Sequence, residues 1–92
     1  MDYQALSNAA TNVIVAIETN PLESISANAL ESIKNQMIFI RDNADNKKNP
    51  SAELIPGQKF TYAIIASREL SSPSELKLNN LISEVTRILV KG

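Results

Sequence analysis

Apolar residues recur at intervals of three and four in two long runs, and that rhythm confines this chain to packed helices. In the first run, Tyr3, Leu6, Ala10, Val13 and Ile17 line one side of a helix over residues 2–19. Asp2 suits its N-cap. Asn20-Pro21 ends it, because the residue before a proline is pushed out of the α region. In the second run, Leu30, Ile33, Met37, Ile40 and Ala44 repeat the spacing, which predicts a helix over residues 26–44, with a short turn at 21–24 before it. Two glycines and four prolines (Pro21, Pro50, Pro56 and Pro73) fall where helices begin or end.

The stretch 42–51 is polar and rich in asparagine, and reads as a fraying helix end followed by an exposed loop. Residues 58–70 admit two readings. As a helix led by Pro56-Gly57, they set Phe60, Ala63, Ile64 and Ser67 on one face. As a strand, residues 60–66 have high β propensity. A lone strand finds no partner elsewhere in the chain, so a helix is expected. Ser72-Pro73-Ser74-Glu75 fits a capping box, with Ser72 as N-cap, Pro73 at the first helical position and Glu75 reaching back. Beyond it Leu78, Leu81, Ile82, Val85, Ile88 and Leu89 form a wide apolar stripe, while Asn80, Ser83, Glu84 and Arg87 face away. The expected fold is all-α, a small antiparallel bundle of four helices in one domain over residues 1–92.

Little in this chain can do chemistry. It has neither Cys nor His, so disulfides, thiol chemistry, His-dependent triads and the commonest metal ligand are all missing. Its only internal glycine is Gly57, which excludes a phosphate-cradling glycine loop. Asp42 and Asp45 lie near Asn43, Asn46 and Asn49, yet a calcium loop would need a glycine and a later glutamate that are not there. Small helical chorismate mutases hold a dicarboxylate with cations spread over their helices. Here no Lys or Arg precedes Lys34, and Arg87 faces away from the predicted core. No catalytic, cofactor-binding or metal-binding residue is expected, and the chain does not read as an enzyme. A net charge of −1 argues against nucleic acid as a partner. The acidic, polar start does not read as a signal peptide, and the longest apolar stretch, residues 13–17, is too short for a membrane. A cytoplasmic location is expected.

The near-neutral total conceals an uneven distribution. Asp2, Glu18, Glu23 and Glu31 stand in the first 33 residues without one base, and all nine bases follow. Single acids of this kind usually solubilise a surface, but 33 residues without a base point to steering of a basic partner. Around the second helix, Ile38 sits about 130° from the apolar seam, with Phe39 as far off on the other side. The size of Phe39 favours burial between neighbouring helices. Ile38 lies in a stripe with Glu31, Asn35, Asp42 and Asp45, an apolar centre ringed by polar groups as in interface hot spots. Tyr62 and Ile65, with Glu69 beside them, leave the seam of the third segment in the same way; burial is slightly the better account of both.

Several short matches run along the chain. They are the first helix ending at Asn20-Pro21, the segment Gln36-Met37-Ile38-Phe39-Ile40-Arg41, the Gly57-led third segment through Ala66 to Glu69-Leu70, and Pro73-Ser74-Glu75-Leu76. In these the chain resembles the small all-helical immunity proteins of bacterial type VI secretion systems. More narrowly, it is similar to those that neutralise ADP-ribosyltransferase-like toxins, which destroy NAD⁺ or pyrophosphorylate adenine nucleotides. The resemblance implies a function of binding alone, covering the toxin's nucleotide site, with no cofactor. An electropositive phosphate site would suit an acidic inhibitor. The residues expected to meet the toxin are Glu31, Ile38, Asp42 and Asp45, with Glu18 and Glu23 as supporting charge. The competing expectation is a helical oligomerisation or adaptor module, in which the off-seam residues join copies of the chain; a homodimer stays open under either.

Overall fold

The computed structural model describes residues 1–19, 25–70 and 75–91. Four helices follow one another: α1 (Tyr3–Thr19), α2 (Ala27–Asp45), α3 (Tyr62–Glu69) and α4 (Leu76–Lys91), with a 3₁₀ turn at Pro50–Glu53 between α2 and α3. They close a bundle in which α1 packs on α2 and α4, and α3 packs on the same two helices from its own side, α2 and α4. Nineteen residues make α2 about 28 Å long, close to the 34 Å longest dimension of the molecule. It is the strut along which the surface features are arranged.

The predicted periodicity holds in α1, α2 and α4. Leu6, Ala10, Val13 and Ile17 are buried, as are Leu30, Ile33, Met37, Ile40 and Ala44. On α4 the buried residues are Leu78, Ile82, Val85 and Ile88, with Leu81 and Leu89 packed against the same core. Asp2 caps α1 by accepting from the Ala5 amide at 3.0 Å, and Ser26 caps α2 by accepting from the Ala29 amide at 3.1 Å. Ala9, Ile14 and Ser7 are buried too, so α1 hides more of its circumference than its seam alone implied. Buried Ser7 donates to Asp45 Oδ1, joining the first turns of α1 to the last turn of α2 and fixing the two as antiparallel neighbours. The predicted turn at 21–24 and the Ser72-Pro73-Ser74 part of the predicted capping box lie outside the described residues; Glu75 is buried.

Two expectations need correction. The Asn-rich stretch is neither frayed nor wholly exposed. Lys47 amide donates to the Ala44 carbonyl at 2.9 Å and Lys48 amide to the Asn43 carbonyl at 2.8 Å, the paired bonds of a Schellman cap. Lys47 supplies the left-handed position with φ +57°, where glycine is usual. Asn46 and Asn43 spend their side-chain amides on the Asp42 and Phe39 carbonyls. Asn49 then caps the 3₁₀ turn through the Ser51 amide, and Pro50 is buried.

The second correction concerns the third helix, which starts at Tyr62 and not at 58. Pro56-Gly57 forms a turn of type II, with Gly57 at φ +90° and the Gln58 amide on the Ile55 carbonyl at 2.9 Å. The chain is therefore still in a loop where a helix was expected. The core face changes as well: Tyr62, Ala66 and Leu70 are buried with Ile65 partly so, whereas Ala63, Ile64 and Ser67 are exposed. Tyr62 and Ile65, off the predicted seam, are the true seam of α3.

Candidate partner-binding surface

Phe39 of α2, Phe60 and Tyr62 form a row of aromatic rings. Phe39 and Phe60 meet edge to face at 6.0 Å and 62°, and Phe60 meets Tyr62 at 6.0 Å and 63°. This row runs inward from a half-buried Phe39 to a buried Tyr62, whose hydroxyl bonds to Thr86 Oγ1 of α4 at 3.0 Å. Burial pushes the Tyr62 phenol above its ordinary value, and the bond to Thr86 pulls it partly back.

Phe39 and Phe60 line a surface groove of about 650 Å³. Asn28, Glu31, Ser32, Asn35, Gln36 and Phe39 form its α2 wall. Leu54, Gln58, Lys59, Phe60 and Thr61 form the facing wall, which belongs to the loop before α3. Gln36 ties the two together. Its Oε1 accepts from the Thr61 amide at 2.9 Å and the Tyr62 amide at 2.8 Å, while its Nε2 donates to Thr61 Oγ1 at 2.9 Å and to Ser32 Oγ at 3.2 Å. Thr61 makes no side-chain cap of its own, so a residue 26 positions upstream caps α3. The groove thus stands preformed.

The six sequence-predicted partner residues fall in different settings. Glu31 lies in the groove wall, exposed, and makes no ion pair among the described residues. Asp42 is exposed on the same helix and takes both contacts of Arg41 on one oxygen at 3.1 Å. Eleven residues separate it from Glu31, about 16 Å along the axis. Asp45 is exposed and accepts from buried Ser7. Ile38 is half-buried and packs against the core. Glu18 is exposed in the last turn of α1, at the end of the bundle away from Asp45. Glu23 lies outside the described residues. Glu31 shares the groove wall with Phe39.

Phe39, Phe60 and Gln36 were not singled out from the sequence as surface residues. One signal was present for Phe39. At about 100° per residue, Asn28, Ser32, Asn35 and Phe39 share a line on the side of α2 opposite its core seam. A large ring among amides on that line is out of place in a purely solvated face. The bond of Gln36 to the start of α3 has no counterpart in local spacing.

No group of three or more His, Cys, Asp or Glu among the described residues is placed to hold a metal ion. No helix among them is long and apolar enough to cross a membrane. What the described residues form is a small helical bundle with a walled groove. Residues 5–91 match the family model Tsi6, and the chain belongs to that family, the Tsi6 immunity proteins of type VI secretion systems. No curated protein and no solved structure matches it.

Proposed function

We propose that this chain protects the cell that makes it by binding a cognate toxin domain in the cytoplasm and covering that toxin's nucleotide site. We take the toxin to be of the ADP-ribosyltransferase-like class, acting on NAD⁺ or an adenine nucleotide. The observation that carries the reading is family membership over residues 5–91. Charge placement supports it. Glu18 stands in the last turn of α1, which has no base, whereas Asp42, in the last turn of α2, is paired with Arg41. An acid at the negative end of a helix dipole costs roughly 0.3–1 kcal/mol when exposed, so helix stability does not account for Glu18, and attraction of a cationic partner would.

The test is rescue. The reading frame immediately upstream of this chain is expressed in a sensitive host with and without it. Restored growth together with copurification supports neutralisation by binding. Undiminished killing contradicts it, and a stable homodimer that buries Ile38 and ignores the toxin would point to the adaptor reading instead.

A further inference from the structure

The groove on α2 has a polarity that specifies what can lie in it. Glu31 and Phe39 stand on its α2 wall, eight residues or about 12 Å apart along the axis. Asn35 stands midway between them on the same wall. Glu31 has no cation of its own, and Asn28 and Asn35 make no side-chain hydrogen bond among the described residues. The aromatic end differs in charge as well as in texture, since Lys59 adjoins Phe60 on the facing wall.

An extended chain advances about 3.3 Å per residue and shows alternate side chains on one side. Two residues four apart on such a chain are therefore about 13 Å apart and point the same way, close to the spacing from Glu31 to Phe39. Resting on the toxin-binding reading above, we infer that this groove receives an extended segment of the toxin carrying a lysine or arginine and, four residues away, a large apolar side chain. The cation meets the Glu31 carboxylate. The apolar side chain lies on the Phe39 and Phe60 rings, where Lys59 keeps a second cation out. Between them, Asn35 presents an amide that both donates to and accepts from a passing main chain. Gln36 holds the facing wall in place beforehand, so little ordering is left to be done on binding.

The experiment uses the full chain and the purified toxin domain from that upstream reading frame. Binding kinetics are measured for the wild type, Glu31→Lys and Phe39→Ala, with thermal melts to establish that each variant folds. The ¹⁵N amide shifts of the wild type are followed during titration with the toxin. Glu31→Lys is expected to weaken binding about tenfold, and Phe39→Ala about thirtyfold. Shifts are expected in residues 28–39 and 54–61. If the wild type binds but both variants bind equally well, or the shifts are confined to α1 and α4, the groove inference is overturned while neutralisation stands. If the wild type does not bind the toxin at all, the reading beneath it fails and takes the groove with it.

Discussion

The α1–α2 pair and residues 54–70 are held in place by different forces, although they sit side by side. Along α1 and α2 the buried residues are nearly all apolar and follow each helix's own repeat. Each helix is specified by its own sequence before it meets the other. Residues 54–70 bury few side chains, and α3 is only eight residues long, too short to be stable alone. That region depends on polar contacts lent by other elements, Gln36 from α2 at its start and Thr86 from α4 at its flank. The rigid pair is scaffold, and the dependent stretch is one wall of the groove. Disturbance of the first is therefore global, whereas disturbance of the second is local to the surface proposed to meet a partner.

The largest effect belongs to the scaffold. Ile40 is fully buried, and Ile40→Ala is expected to cost about 2–5 kcal/mol by leaving a cavity. Denaturant unfolding should show a lower midpoint by every probe at once, because the whole bundle fails together. A loss confined to α3 would mean that the two regions are not divided as described.

Gln36→Ala comes next. It leaves the Thr61 and Tyr62 amides without their acceptor, at a cost of about 1–3 kcal/mol. Hydrogen exchange should speed up at Thr61, Tyr62 and the first turn of α3 while the amides of α1 stay protected. Gln36→Glu keeps the acceptor beside a helix N-terminus and should hold most of that protection. Equal exchange in wild type and Gln36→Ala would remove Gln36 from its role.

Tyr62→Phe probes the other anchor, at about 1 kcal/mol for the lost hydroxyl contact. Its pH dependence sharpens the test. The folded phenol has a pKa raised by burial above the 10.0 of an ordinary tyrosine. The unfolded chain therefore releases that proton first. Its contribution is complete below about pH 10 and is lost as pH rises through the folded value. The stability difference between wild type and Tyr62→Phe should shrink through that alkaline range. A difference constant in pH would contradict the burial of the hydroxyl.

The smallest change is a gain. Lys47 holds a left-handed conformation that a side chain disfavours, and Lys47→Gly should raise stability by about 1 kcal/mol without altering the groove. A destabilised Lys47→Gly would show that the lysine side chain does something the cap geometry does not reveal.

These contrasts also explain what was legible beforehand. Residues such as Leu30, Ile33, Met37, Ile40 and Ala44 announce their helix because periodicity is a local property, and the four-helix bundle followed from three such helices. The boundary of α3 was misread because it is set by a Gln36 side chain from another helix together with the glycine turn at Gly57 just before it. Glu31 was singled out from charge and from its helical position, and it stands in the groove wall. Phe39 was not, because a large ring is usually buried, and its exposure depends on Phe60 arriving from a loop rather than a helix arriving to cover it.

The proposed occlusion of a toxin by this protein is stoichiometric. It is tested most directly by titrating the protein into a fixed amount of purified cognate toxin domain while following nucleotide turnover. The account predicts a linear fall in activity that ends near one equivalent, with Glu31→Lys requiring more protein to reach the same inhibition. Turnover unchanged at several equivalents of a folded wild-type chain would contradict it.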